Sequence, residues 1–470
     1  MTGCRAKNSV VAYFVLPAAL IAGCGPKPAG IAPPVAPPAE FSAAGTQDAA
    51  ERWWQSFGDA ALNEAVERSL ADNLSLRGAW FRLAQAEAAA RREGAGAYPN
   101  MSLSTGAELT RQHTGNVATD GTDAEFSLGA AASYEVDLWG RVRATSDASL
   151  LDARASAEDV RTAAVTLSAQ VATTWFRISR QEAETAVLRR QLRSNEEMLE
   201  LVTLRFQQGQ SKAEDVLRQR QAVEARRGDI ARGEANRAVL YNRLAVLLGQ
   251  NPGAIAFRPT PDLPDLPPMP AAGVPADLIQ RRPDVRKALF EVMAADRRTA
   301  AAIADRYPRI TLSAGANTSA ESVTDLFSNW LASLAANVAM PLVDGGRRKA
   351  EVERTRAATS ASLTAYGQTV LDALSEVENA IATERRQQEY VTSLRQQLTL
   401  AAEVINRARD NYLQGVTEYT RVLEAQQTHQ ALEISYLGAQ LALIENRIAL
   451  YRALSGGWEL TRPGPPTGSR

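Results

Sequence analysis

From Val160 to Phe206, mostly apolar residues recur at alternating spacings of three and four: Val160, Ala164, Leu167, Val171, Thr174, Ile178, Gln181, Thr185, Leu188, Leu192, Asn195, Leu199, Val202, Phe206. That spacing is the seam of a coiled coil. No proline interrupts the chain between Trp139 and Gly209. A single helix of roughly 65 residues is therefore expected, near 100 Å long at 1.5 Å per residue. A helix of that length must bury its stripe against other long helices. The pattern returns through Val370, Leu374, Val377, Ile381, Val391, Leu394, Leu398, Ala401, Ile405, Ala408 and Tyr412. Polar seam positions such as Gln181 and Asn195 lower stability but can fix register.

Each long pattern ends in the same punctuation. Arg205 to Leu217 and Asn411 to Leu423 share an aromatic, a Gln-Gly pair and a Val-Leu pair at matching places, about 206 residues apart. Gly209 and Gly415 can end one helix in a left-handed turn. Ser211 and Thr417 are placed to cap the next. The helices then return to Gly249 and Gly456, so the chain reads as two copies of a long helical hairpin.

Ahead of each hairpin the period changes to two. Met101, Leu103, Thr105, Ala107 and Leu109 share one strand face, and Ser102, Ser104, Gly106, Glu108 and Thr110 the other. In the next strand Phe126, Leu128, Ala130, Ala132, Tyr134, Val136 and Leu138 lie opposite Ser127, Gly129, Ala131, Ser133, Glu135 and Asp137. The second half repeats this: Ile310, Leu312, Ala314 and Ala316 on one face, then Trp330 to Leu342 alternating in the same way. Each run has the length of a tilted strand crossing a bilayer. Tyr98, Trp139, Tyr307 and Trp330 stand at strand ends, as in an interfacial aromatic girdle. Only strands could span here, because no later apolar run is long enough for a membrane helix.

The first residues read as a targeting segment: Arg5 and Lys7, an apolar run Val10 to Ile21, then Leu20-Ile21-Ala22-Gly23-Cys24. That ending resembles a bacterial lipobox, with Cys24 lipidated. Cys4, the other cysteine, would leave with the signal. The domain plan is a signal peptide at 1–23 and a lipidated proline-rich tether at 24–50. A first repeat covers 51–250, with strands 101–111 and 125–138 and hairpin 140–249. A proline-rich linker follows at 251–276. The second repeat is 277–456, with strands 309–319 and 330–342 and hairpin 345–456, and 457–470 forms a tail.

Composition excludes other classes. Lys+Arg number 52 and Asp+Glu 53, so there is no basic field for nucleic acid. Two histidines far apart, His113 in a loop and His429 on a helix, make no metal cluster and read as surface residues. No nucleophile–base pair or phosphate-binding glycine loop is present, so an enzyme is not expected. Apart from the lipid on Cys24, no cofactor is expected. A periplasmic adaptor or scaffold lipoprotein would also carry coiled-coil hairpins, but it has no need of four amphipathic strands.

Several motifs then align in order: Trp53-Trp54 with Phe57 and Asp59; Tyr134-Glu135-Val136-Asp137-Leu138-Trp139-Gly140-Arg141; Arg281-Arg282-Pro283-Asp284-Val285-Arg286; Tyr307-Pro308; Pro341-Leu342-Val343-Asp344-Gly345-Gly346-Arg347; and both turns. With the internal duplication, they resemble the TolC-like outer-membrane efflux proteins, especially the lipidated OprM and NodT branch. The resemblance covers nearly the whole mature chain. It implies a mixed helical and β-barrel membrane protein, a homotrimer with a twelve-stranded barrel in the outer membrane and a helical barrel in the periplasm. It further implies an exit duct for small molecules such as drugs, working with a periplasmic adaptor protein and an inner-membrane transporter of the RND type. The family's periplasmic gate falls here on Tyr412, Thr417, Arg421 and Glu424. Asp215 of the neighbouring hairpin is a candidate partner for Arg421. A position that carries arginine in the best-known member is Thr417 here, and an aspartate position is Arg421, so the same ion pairs cannot form. Gly209 and Gly415 fall on the turns that meet the adaptor.

Overall fold

The computed structural model describes residues 34–42, 51–112, 121–253 and 257–462. The signal segment, Cys24, His113, most of the tether and the last residues of the tail lie outside them. Two short helices, α1 (Ala60–Asp72) and α2 (Leu74–Gly94), lead into strands β1 (Asn100–Gln112) and β2 (Gly121–Val136). A hairpin follows, α3 (Arg141–Gln207) and α4 (Ala213–Leu247). The plan then repeats with α5 (Pro275–Arg281), α6 (Pro283–Ala304), β3 (Arg309–Ala320), β4 (Trp330–Ala339), α7 (Arg347–Leu413) and α8 (Tyr419–Leu454).

The four strands form one antiparallel sheet in the order β1-β2-β3-β4. Directly opposed residues share a face, and the register unites the alternations into two continuous surfaces. Leu103, Ala130, Ala316 and Ala332 stand in one row, and Thr105, Leu128, Thr318 and Trp330 in another. The opposite face holds rows such as Ser102, Ala131, Gly315 and Ser333. β1 and β4 each have one unpaired edge within the chain.

Both strand pairs stop earlier than the alternation suggests. β2 ends at Val136 instead of 138 because Asp137 turns to the next helix. Its Oδ1 accepts from Val142 N at 3.0 Å and its Oδ2 from Arg143 N at 2.8 Å. β4 ends at Ala339, two residues before Pro341, which has no N–H for a ladder. Asp344 then accepts from Gly346 N and Arg348 N. Gly140 and Gly346 make the strand-to-helix corner at φ 74° and 84°.

α3 and α7 are each 67 residues long. Most seam residues are buried, from Val160 through Asn195 to Val202 on α3 and from Val370 to Tyr412 on α7. Phe206 departs from the expected seam, being 44% exposed, whereas its counterpart Tyr412 is 5% exposed. The reason lies one helix on. Tyr412 packs edge-on against Tyr419 with centroids 5.6 Å apart. The residue matching Tyr419 in the first copy is Ala213, which offers Phe206 no ring.

Midway along the helices the segment around Trp53 meets the end of α8 and Trp458. Trp53 stacks on Tyr451 at 5.6 Å, and Trp54 meets Trp458 edge-on at 4.8 Å. Asp59 caps α1 through Ala61 N and Leu62 N and accepts from Trp175 Nε1 at 2.8 Å. The linker is held here too. Buried Arg447 pairs with Glu384 and donates to the carbonyls of Pro267 and Pro268 at 2.7 and 3.2 Å. Such a pair is costly to leave half-broken, so it locates the linker against the second hairpin.

Candidate functional site at the hairpin turns

Both turns are built by the same backbone bonds. After α3, Gly209 N donates to Phe206 O at 2.9 Å and Gln210 N to Arg205 O at 2.8 Å. After α7, Gly415 N donates to Tyr412 O at 3.0 Å and Val416 N to Asn411 O at 2.8 Å. This is the Schellman closure, and it requires the φ of 74° seen at both glycines. A Cβ at either would meet nothing within 4 Å, so the left-handed conformation alone demands glycine.

The caps differ from expectation. Lys212 and Glu418, not Ser211 and Thr417, occupy the N-cap positions, and neither caps with its side chain. In the first turn the work falls to Asp215, whose Oδ2 accepts from Lys212 N at 3.1 Å and Ser211 Oγ at 3.0 Å. A carboxylate reaching back from the third helical position satisfies the first turn better than a hydroxyl does, because it also meets the helix dipole. Its counterpart is Arg421, which cannot accept, so the second turn lacks this bond. The Thr417 hydroxyl is buried without a partner in the chain.

The gate candidates divide between two places. Tyr412 is in a small core with Met198, Val202, Val216, Tyr419, Val422 and Leu423. The Arg205 guanidinium lies 4.7 Å from its ring centroid, a cation–π geometry. Arg421 and Glu424 remain on the surface, paired with each other at 3.4 Å along α8. Asp215 is engaged with its own turn and does not meet Arg421. The ion pair that does cross between the turns is Lys212 with Glu418, at 3.2 Å and well exposed. In that setting it is worth at most about 1 kcal/mol.

Sequence reasoning missed a buried polar cluster just above the turns. Tyr419 Oη donates to Gln219 Oε1 at 2.5 Å. Gln219 Nε2 donates to Asn195 O at 2.7 Å, and Gln426 Nε2 to Asn195 Oδ1 at 2.8 Å. Higher up, Gln191 Nε2 donates to Gln430 O and to Glu433 at 3.0 and 2.8 Å. The cluster binds α3, α4 and α8 at one level. Burial raises the Tyr419 phenol pKa above its usual range, so it stays a donor. The available signal was glutamine at seam spacing, Gln219 after Val216 and Gln426 after Val422. His429, expected on the surface, is half-buried with Nδ1 3.9 Å from Glu433.

The aromatic candidates lie at the ends of the sheet. At its helical end Trp139 stacks on Tyr307 at 4.8 Å and donates from Nε1 to Pro308 O at 2.8 Å, joining the two repeats. Tyr98 is exposed nearby in sequence, before β1, while Trp330 and Phe327 are exposed at the far end. Among the described residues no helix is long and apolar enough to cross a membrane, and no group of three or more His, Cys, Asp or Glu could hold a metal.

Comparison with known proteins agrees with this architecture. The family described as outer membrane efflux protein matches residues 65–250 and 274–456, one segment in each half. The pyoverdine export outer membrane protein OpmQ of Pseudomonas aeruginosa is 31% identical, covering 95% of this chain and 96% of that protein. The cation efflux system protein CusC of Escherichia coli K12 is 27% identical over 93% of this chain and 97% of its own length. A crystal structure of a membrane protein from Pseudomonas aeruginosa superposes with a TM-score of 0.83 at 29% identity, over 93% of this chain and 98% of that one.

Proposed function

The chain belongs to the outer membrane efflux protein family, and from that premise we propose that three copies close their sheets edge to edge into one barrel. It is an outer-membrane channel of a tripartite export system in a Gram-negative bacterium, and a transport protein. Such channels work with adaptor proteins and inner-membrane pumps. An adaptor role for the chain itself is not supported, since the full-length similarity is to the channels.

One observation carries the trimer: a four-stranded sheet with one apolar and one small polar face and both edges unpaired. Open edges in lipid leave backbone groups unsatisfied, and only closure removes them. Three sheets give twelve strands, an even number within the known range. The face of Ser102, Ser104, Gly129, Ser313 and Asn337 would line the lumen, and Leu103, Leu128 and Leu334 would meet lipid. Tyr98, Trp139, Tyr307 and Trp330 would mark its two interfaces.

The helical turns would be the periplasmic end, closed by Tyr412, Thr417, Arg421 and Glu424, and met by the adaptor at Gly209 and Gly415. An RND transporter is the proposed engine and a lipid on Cys24 the added anchor. Relatives are named for pyoverdine export and for cation efflux. A wall of serine, glycine and alanine supports a duct whose cargo is chosen upstream. The test is purified protein in planar bilayers with cross-linking in parallel. Trimers and ion-conducting pores are expected, larger when Arg421→Gln and Glu424→Gln are combined. A monomer that never conducts, even with both charges neutralised, would overturn the reading.

A further inference from the structure

Both long helices open on cations. The first turn of α3 carries Arg141 and Arg143, that of α7 Arg347, Arg348 and Lys349, and neither has an acidic residue there. Positive charge at a helix N-terminus opposes the helix dipole, so each of these side chains needs a counter-charge from elsewhere. Two find one in the chain. Arg141 clasps Glu135, Nε donating to Oε1 at 3.0 Å and Nη2 to Oε2 at 2.7 Å. Arg348 Nε donates to Asp305 Oδ2 at 2.9 Å. The Arg143 and Arg347 guanidiniums meet no partner among the described residues. Lys349 has only Glu353, at 4.0 Å with both side chains mostly exposed.

Helix geometry sorts these cations between the two sides of the wall. Residues two apart on a helix stand about 200° round from each other. Glu135 belongs to the small polar face, in a row with Thr311 and Asn337. Arg141 therefore lies on that side and Arg143 on the side of the apolar face. The second repeat copies the placement. Val142, between the two arginines, faces the turn after α2: a Cβ at Gly96 would stand 3.4 Å from Val142 Cγ1. Its counterpart Arg348 faces Asp305, in the turn after α6. Lys349 thus stands with Arg143, and Arg347 with Arg141. Between the last ladder rungs and the helices the chain also leaves aliphatic side chains bare. Leu138 is 50% exposed, Met340 53%, Leu342 87% and Val343 91%. Trp139, stacked on Tyr307, is next to the α3 corner.

We propose that Arg143 and Lys349 form a collar at the helical end of the sheet that holds the headgroups of anionic phospholipids. Bare aliphatics, then an aromatic ring, then an unpaired cation match a phospholipid taken from its chains to its phosphate. Charge complementarity selects the occupant, because a zwitterionic headgroup offers the two cations no net counter-charge. A basic residue at an anionic lipid surface strengthens binding by about fivefold. The collar fixes the depth at which the sheet sits in the bilayer. It rests on the barrel reading given above, and the test separates the two.

The full-length protein is reconstituted at low ionic strength, where such contacts are least screened. The vesicles are phosphatidylcholine doped with brominated phosphatidylcholine or brominated phosphatidylglycerol. Quenching of tryptophan fluorescence reports lipid contact, and the share lost in Trp139→Phe belongs to the helical end of the sheet. There the parent protein is expected to favour phosphatidylglycerol by about fivefold. Arg143→Gln with Lys349→Gln removes the preference, and Arg143→Lys with Lys349→Arg keeps it. Arg347→Gln, the same charge change on the opposite side of the wall, leaves it unchanged. Equal quenching by the two lipids in the parent overturns the collar and leaves the barrel standing. So does a loss in Arg347→Gln as large as that in the double variant. No quenching of any tryptophan by either lipid overturns the barrel reading, and the collar with it.

Discussion

At Gly209 and at Gly415 the backbone follows one path, with the same φ and the same pair of closing bonds. The side chains around the two turns have gone separate ways. The first hairpin is braced within itself by Arg227–Glu196, Arg189–Glu234 and Arg237–Glu182 at 3.0, 2.8 and 3.3 Å, and by Gln219 on Asn195. Near its turn the second hairpin leans on the first, through Tyr419 on Gln219, Gln426 on Asn195 and Lys212 on Glu418. Between its own helices it has the Tyr412–Tyr419 ring contact at the turn and, well above it, Gln387 on Ala439 O, Arg395 on Tyr436 and the buried Arg447–Glu384 pair. Duplication thus made one tip braced within its own hairpin and one tip that leans on its neighbour. A tip held by a few buried bonds can be released without unfolding the hairpins, which is the asymmetry the proposed gate would need.

Substitutions at paired positions test that contrast, with local opening read by hydrogen exchange of the tip amides. Tyr419→Ala should have the largest effect. It removes a buried ring and leaves Gln219 Oε1 unpaired, lowering protection of the second tip by about 3 kcal/mol or more. Ala213→Gly at the matching place should lower the first tip by only about 1 kcal/mol. If both tips respond alike, the second does not lean on the first. Gly209→Ala and Gly415→Ala come next and sharpen the comparison from the other side. Each forces a Cβ into a left-handed residue for about 1–2 kcal/mol, and the two values should agree, because the backbones do. A large gap would mean that the surroundings, not the φ, determine the cost.

The smallest contrast is at the caps. Asp215→Ala should weaken the first turn by about 1 kcal/mol, whereas Arg421→Ala should change the second by less than about 0.5 kcal/mol, since its pair is exposed. An equal loss at Arg421 would reveal a partner beyond this chain.

Much of the frame was legible from periodicity. Up to Val136 and Ala339, where the ladders end, the alternating residues named on each strand are the residues that share a sheet face, because successive side chains of a strand point to opposite faces. The two turn glycines were legible because positive φ has few alternatives to glycine. What escaped depends on partners distant in sequence. Gln426 meets Asn195 across 231 residues and Tyr419 meets Gln219 across 200. Spacing says that such a residue faces inward but not what it meets. The caps were missed by one position because Ser211 and Thr417 have the favoured side chains while Asp215 reaches back from inside the helix.

The equal length of α3 and α7, 67 residues each, bears on how such a chain can change. A single inserted residue turns everything beyond it by about 100° and carries the seam off its partner. Neutral lengthening therefore comes in whole heptads, matched in both long helices and answered in α4 and α8. The reach of the molecule is quantised, and a lineage facing a wider gap must take a step of about 10 Å in every helix or none.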